Sequence, residues 1–345
     1  MKSVVLRPDG STGRPRASLE DREPPKVGPG EVLVEMRACG ICGTDLEKLK
    51  GEYTASMAVI GHEAVGVVSS VGEGVDSLKA GDRVFPHHHV SCGKCWYCTR
   101  GSETMCDTYR RTNLDPGGFA EFFRVPRENV ARGGVLRIPD GTSFDEASMV
   151  EPAACCLRAI KRCGVSAGDS VLVVGAGPVG LTHCMLLRSK GAVPMISDVS
   201  SHRLAFADAL SFGPAIDASS SDVSEEVRKK TGGRGADAAI VAAGSKGAIV
   251  QALMSVRKGG TVCLFGIPSR GAVLDYDFSD VFNSEVSVVS SYAATEAETG
   301  EALELIASGR VDLGKLVTHR VRLAEFQRGV DAALSGEAMK VIVTP

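Results

Sequence analysis

The stretch Ser91–Cys106, SCGKCWYCTRGSETMC, carries cysteines at 92, 95, 98 and 106. Thiols this close in sequence do not suit a relaxed disulfide network, but they suit one tetrahedral Zn2+ held by the thiolates of Cys92, Cys95, Cys98 and Cys106. A closed four-thiolate sphere leaves the metal no open position, so its role would be structural. Lys94, Arg100, Arg110 and Arg111 are balanced by Glu103 and Asp107, and the spacing is not that of a two-knuckle ribbon. Both features argue against a nucleic-acid finger. More metal-competent side chains are divided between CGICGTDLEK and VIGHEAVG: the thiol of Cys42, the imidazole of His62 and the carboxylate of Glu63. Glu151, in MVEPAACC, is a further candidate. Taken singly, His62 also reads as a hydrogen-bonded core histidine and Cys42 as a small buried hydrophobe.

A third group lies in VLVVGAGPVG, where Gly175, Gly177 and Gly180 form GxGxxG, with Pro178 and Val179 inside the motif. The pattern alone is weak. It gains weight here because it follows an apolar strand and opens a helix. Gly175 would make the tight turn, Gly177 would let backbone approach a pyrophosphate, and Gly180 would let helix and strand pack closely. Asp198 closes the next strand, where a carboxylate accepts both ribose hydroxyls and repels a 2′-phosphate, favouring NAD over NADP. Arg203 could touch the same ribose, with a 2′-phosphate contact as its rival role. The plainer alternative is a strand–helix turn with no nucleotide.

These groups need elements to hold them. Residues 1–150 read as short β-like runs punctuated by glycine, as in EVLVEMRACG and AVGVVSSVGEGV. From about Cys155 the rhythm changes to strands alternating with helices, which implies a parallel sheet. Strands are expected at Val171–Val174, Val193–Ser197, Ala215–Asp217, Asp237–Ala242, Thr261–Phe265 and Glu285–Ser290, the six of a dinucleotide-binding sheet. Helices are expected to Lys190, at Ser201–Leu210, within Asp222–Thr231 and at Ala248–Arg257. The tail adds a helix, Glu296–Ser308, and a last strand, Lys340–Val343, expected to return to the first domain.

The chain of 345 residues suits two domains of roughly 100–200 residues each. Its 43% hydrophobic and 23% charged residues with a net charge of −3 fit a globular protein without an electrostatic footprint for nucleic acid or an acidic membrane. MKSVVLRPDG lacks the apolar core of a secretory signal, and a cytoplasmic location is expected. Eleven cysteines in such a compartment point to metal or catalysis rather than crosslinks.

The combination of CGTD, GHEAVG, CxxCxxCx7C, the EP pair and VLVVGAGPVG, in this order over nearly the whole chain, resembles the zinc-dependent medium-chain dehydrogenase/reductase family. The resemblance implies an α/β architecture: a GroES-like, β-rich catalytic domain (1–150 and 291–345) around an inserted Rossmann domain (151–290) with a doubly wound, six-stranded parallel sheet. It implies two Zn2+ per chain. Cys42 and His62 become catalytic-zinc ligands, Cys92, Cys95, Cys98 and Cys106 hold the structural ion, and Glu63 or Glu151 completes the catalytic sphere. Glutamate at 151, where alcohol dehydrogenases have cysteine, is similar to the sorbitol (polyol) and threonine dehydrogenase branch.

That branch implies hydride transfer from a polyol, cyclitol, sugar or other secondary alcohol to NAD+, with Thr44 relaying the proton and Asp45 orienting His62. Glu47 stands where many relatives have histidine as the proton exit. Lys340 matches a position where a basic residue meets the pyrophosphate. A homotetramer or homodimer is implied, and the edge run Glu285–Ser290 could pair two copies. Competing readings are a simple secondary-alcohol or threonine-type dehydrogenase, a zinc-free quinone or enoyl reductase, and a non-enzymatic NAD(H)-binding module.

Substrate identity would rest on loops around Glu52–Met57, Thr108–Leu114 and Tyr292–Thr295, with Arg110 and Arg111 able to receive a phosphate. His87, His88 and His89 are expected to face solvent or a substrate cleft. Cys39, Cys155, Cys156, Cys163, Cys184 and Cys263 are expected to be packing thiols.

Overall fold

The computed structural model describes residues 1–8, 15–52, 57–268 and 271–345. Positions 53–56 of the expected Glu52–Met57 substrate loop therefore lie outside the described residues. Two compact units emerge, one of Met1–Glu151 with Ala294–Pro345 and the other of Pro152–Ala293.

In the first unit, β1 (Lys2–Pro8) and β2 (Pro15–Asp21) form an antiparallel hairpin. A seven-stranded sheet follows, built on β3 (Val32–Gly40), β4 (Glu63–Val71), β5 (Arg83–Pro86), β6 (Phe122–Val125) and β7 (Val135–Arg137). In β3 the side chains of Val32, Val34, Met36 and Ala38 are wholly buried while the residues between them are partly exposed. This is the period-two signature of a strand with one face on a core. That core also takes Val68, Val84, Phe119, Phe123 and Phe326.

The second unit contains β8 (Ser170–Val174), β9 (Val193–Asp198), β10 (Ala215–Asp217), β11 (Ala236–Val241), β12 (Val256–Leu264) and β13 (Ser287–Ser290). Every pairing is parallel, in the spatial order β10-β9-β8-β11-β12-β13. Renumbered within the unit, that order is 3-2-1-4-5-6, the arrangement of dinucleotide-binding sheets. Val171–Val174 is buried throughout, as a strand covered by helices on both faces must be.

The largest departure from an expected boundary is at β12, expected from Thr261. β12 begins at Val256, inside the stretch expected to be helical, because Val256 pairs with Ala236 before the register shifts and Thr261 meets Ala238. The helix there ends at Ser255.

The chain then re-enters the first unit. β14 (Val317–Arg322) runs parallel to β15 (Lys340–Thr344), and β15 pairs antiparallel with β3 through Ile342–Gly40 and Val343–Cys39. The final strand thereby sets Lys340 beside the turn that leads to Cys42.

Candidate metal centre and nucleotide cradle

One donor atom each from Cys42, His62 and Glu63 lies within 4.8 Å of the other two. The local sequence explains the convergence. Cys42 is the N-cap of the helix Gly43–Lys50, and Asp45, three residues on, accepts the Cys42 N–H through Oδ2 at 3.1 Å. Oδ1 of the same carboxylate faces His62 Nδ1 at 3.6 Å. Asp45 thus stands between the two metal-competent residues, bonded to the backbone of one and facing the ring of the other, an arrangement that would present His62 Nε2 to a metal. Burial alone would raise the Asp45 pKa, but His62 and the Cys42 N–H hold it below the usual carboxylate value. Burial would likewise push His62 down, yet Asp45 and Cys42 raise it well above the ordinary imidazole value.

Glu63 opens β4 and is 1% exposed. Its Oε2 accepts from the Lys340 ammonium, which also donates to the Ile41 carbonyl at 3.3 Å. Burial lowers the Lys340 pKa, but Glu63, Cys42 and Glu151 outweigh it and keep the ammonium charged. Lys340 was expected at the pyrophosphate. In the structure its ammonium is paired with Glu63, where the register of β15 against β3 delivers it. Gly40 makes room for this pair, since a Cβ there would stand 1.9 Å from Glu63 Oε2 and 2.8 Å from Lys340 Cε. Glu151, the other carboxylate candidate, is buried at the start of its helix and lies outside the donor group.

Thr44 Oγ1 is 3.7 Å from Cys42 Sγ. Glu47 is not joined to it. Its carboxylate takes Lys50 at 2.8 Å on the half-exposed side of the helix, a surface pair that contributes little. A thiolate, an imidazole and a carboxylate in mutual reach are a donor set for zinc, and the residues present fit that ion.

The four-cysteine lobe is equally well formed. All four Sγ atoms lie within 4.8 Å of one another, with Cys95–Cys98 at 3.5 Å and Cys92–Cys98 at 3.9 Å. Backbone N–H groups point at the sulfurs: Cys95 donates to Cys92 Sγ at 3.3 Å and Cys92 to Cys106 Sγ at 3.4 Å. Burial pushes the Cys106 thiol up, but the N–H groups of Cys92 and Tyr109 bring it down to about 6. Polarised backbone donors stabilise thiolates, which is what a tetrahedral zinc site requires.

His87, His88 and His89 lie between β5 and this lobe. His87 is wholly buried and His88 6% exposed, so the solvent-facing expectation is corrected for both. Asn129, which no motif singles out, clamps the loop by donating from Nδ2 to the His87 and His88 carbonyls at 2.7 and 3.1 Å. The rings form a row from His62 to His88 (5.0 Å between centroids), His89 (4.1 Å) and Tyr109 (5.0 Å). Burial holds His87 down at about 3 and His89 at about 4, and His88 well below the ordinary value. Arg110 is exposed and directed at the Met105 sulfur, 3.4 Å away.

In the second unit the glycines hold their assigned places. Gly175 has φ +110°, a conformation that side chains disfavour. A Cβ on Gly180 would sit 1.8 Å from the Gly175 carbonyl, so only glycine lets this helix meet the strand so closely. A Cβ on Gly177 would meet nothing within 4 Å, which leaves open space above the N-cap of the helix Pro178–Ser189. Val179, in the first turn, accepts from the Cys156 thiol through its carbonyl at 3.8 Å. Asp198 Oδ2 accepts from Ala176 N–H at 2.6 Å and Oδ1 from Ser200 N–H at 2.8 Å, with Arg203 3.8 Å away. The carboxylate therefore locks the glycine loop against the end of β9, and the open helix N-terminus beside it fits a dinucleotide.

Comparison with known proteins gives the same architecture. Residues 28–140 match the alcohol dehydrogenase GroES-like domain, and residues 178–308 match the zinc-binding dehydrogenase family. The sorbitol dehydrogenase of Halalkalibacterium halodurans is 32% identical over 100% of this chain and 99% of its own. The L-threonine 3-dehydrogenase of Bacillus licheniformis is 31% identical at the same coverage. Among solved structures, the alcohol dehydrogenase TADH from Thermus sp. ATN1 superposes with a TM-score of 0.88 at 29% identity, covering 100% of this chain and 99% of that one. With two family domains and full-length relatives above 30% identity, the chain belongs to the zinc-dependent medium-chain dehydrogenase/reductase family.

Proposed function

We propose that this protein oxidises a secondary alcohol of the polyol, cyclitol or sugar class to a ketone, with NAD+ as acceptor. The observation that carries the reading is the donor group of Cys42, His62 and Glu63 in a chain that also holds a glycine cradle closed by Asp198. Zinc bound there supplies a Lewis acid toward an alcohol oxygen, and NAD+ supplies the hydride acceptor.

The remaining work falls to the chain. Asp45 fixes the His62 tautomer, and its own position is set by the Cys42 N–H. Thr44, two residues from Cys42, holds a hydroxyl where it can take a proton from the alcohol and pass it outward. One thiolate with an imidazole and a carboxylate leaves the ion harder than two thiolates would, which suits oxygen-rich substrates. Asp198 sets the preference for NAD over NADP through the ribose. A full-length likeness to a sorbitol dehydrogenase supports the polyol class, and the likeness to a threonine dehydrogenase makes an amino alcohol the second choice.

A cytoplasmic homodimer or homotetramer completes the proposal. It is supported by β13 at the edge of its sheet with Val288 exposed.

The test is absorbance at the NADH wavelength with a panel of polyols, aldoses, threonine and simple secondary alcohols, alongside zinc analysis of the purified protein. NADH formation with a polyol and two zinc ions per chain is the expected result. Absence of turnover with every alcohol at full zinc occupancy would overturn it.

A further inference from the structure

The second unit holds a pair of thiols that neither the metal groups nor the nucleotide cradle uses. Cys163 follows the helix Val150–Arg162 and donates its N–H to the Ala159 carbonyl at 3.0 Å. Cys263 lies in β12, between Ile240 of β11 and Val289 of β13. Its strand neighbours Val262 and Leu264 belong to the apolar core on one face of the sheet, so Cys263 points to the other face. There the two side chains meet, and the Cys163 thiol donates a hydrogen bond to the Cys263 sulfur.

The two sulfurs differ in character. Cys263 is wholly buried, whereas Cys163 is only partly buried and reachable from solvent. The bond from Cys163, helped by the charge of Arg162, outweighs burial and holds the Cys263 thiol below its ordinary value. The same bond and burial push Cys163 up. One proton is thus shared by two sulfurs in contact, which need only be drawn in to about 2 Å to be covalently joined.

We infer that Cys163 and Cys263 are a modification site, closed by hydrogen peroxide into a reversible disulfide that clasps the end of the helix Val150–Arg162 to β12. The shared proton moves to Cys263, and the Cys163 thiolate attacks one peroxide oxygen. The O–O bond breaks, leaving Cys163 as a sulfenic acid. The hydroxide released takes up the proton that the pair had lost to solvent, and becomes water. The Cys263 sulfur then attacks the Cys163 sulfur: the S–S bond forms, the S–O bond breaks, and the departing hydroxide carries off the Cys263 proton as a second water. Two thiols lose two electrons and two hydrogens, and one peroxide becomes two waters.

The test exposes the reduced, full-length protein to hydrogen peroxide, with zinc present throughout to keep the four-cysteine lobe occupied. Remaining thiols are then alkylated and the peptides mapped by mass spectrometry without reductant. A peptide containing Cys163 joined to one containing Cys263, released again by dithiothreitol, is the expected result. In Cys163→Ser the link is absent and Cys263 is recovered as a free thiol. Cys163 recovered alkylated, or carried to the sulfinic acid without a link, overturns the inference. The clasp closes a loop of about 100 residues in the unfolded chain, so oxidised wild type should melt several degrees above reduced wild type. The same treatment should leave the melting of Cys163→Ser unmoved. A link without that rise forms only in opened molecules and equally overturns the clasp. Should Cys163→Ser fail to fold, Cys263→Ala is read in its place.

Discussion

The wholly buried carboxylate of Asp45 faces Nδ1 of His62 across 3.6 Å while accepting the N–H of Cys42 through its other oxygen. One side chain therefore orients two of the three metal-competent groups. Asp45→Asn keeps the shape but removes the charge that fixes the imidazole. Zinc affinity at this group is expected to fall about 10–100-fold. Chelator competition should show one ion lost early, with the four-cysteine ion retained. Loss of both ions together, or of neither, would refute the assignment.

Lys340 and Glu63 form a buried ion pair whose members are 5% and 1% exposed. Lys340→Met leaves the glutamate buried without its cation, which costs about 3–5 kcal/mol where no metal is present to replace it. Added zinc should recover part of the loss in thermal stability, since the ion offers Glu63 another positive partner. NADH affinity, read by fluorescence, should change little, because the ammonium is engaged by Glu63 and the Ile41 carbonyl. A tenfold loss of NADH binding with unchanged zinc affinity would restore the pyrophosphate role.

Much of the second unit was legible because its signals are local. An apolar strand, three glycines and an acid at the next strand's end all lie within Val171–Asp198, and the parallel order follows from the alternation of strands and helices. The four-cysteine lobe was legible for the same reason. Lys340 and Glu63 were not paired in advance, since they are 277 residues apart and meet only through the register of β15 on β3. The burial of His87 and His88 was equally hidden. Three consecutive polar rings in a loop read as wet, and only the fold brings Asn129 and Tyr109 against them. Glu63 and Glu151 stayed equivalent until the structure put one in the donor group and the other outside it.

Asp198 holds the Ala176 and Ser200 N–H groups, and in the proposed function it also accepts the ribose hydroxyls. Asp198→Ala removes the acceptor and the charge that opposes a 2′-phosphate, and it leaves Arg203 without its acidic neighbour. The ratio of kcat/KM for NAD+ over NADP+ should fall by roughly tenfold or more, the effect of one charged hydrogen bond. Steady-state kinetics with both cofactors give the ratio directly. An unchanged ratio would mean that the carboxylate serves only the loop.

His183 supplies a test of pH dependence away from any metal. It is wholly buried in the helix Pro178–Ser189, its ring stands edge-on to Phe265 at 4.8 Å, and neither nitrogen has a partner. Burial holds its pKa at about 3, against 6.5 ordinarily. Between those values the unfolded chain binds a proton that the folded chain refuses, so stability is full above about pH 6.5 and declines as pH falls toward 3. His183→Leu removes this linkage while every other titrating group is common to both proteins and cancels in the difference. The variant's stability relative to wild type should therefore rise by about 2 kcal/mol between pH 7.5 and pH 5, that is, about 1.4 kcal/mol for each unit below 6.5. Denaturant unfolding at the two pH values measures it, and parallel losses in both proteins would show that the buried imidazole keeps its proton after all.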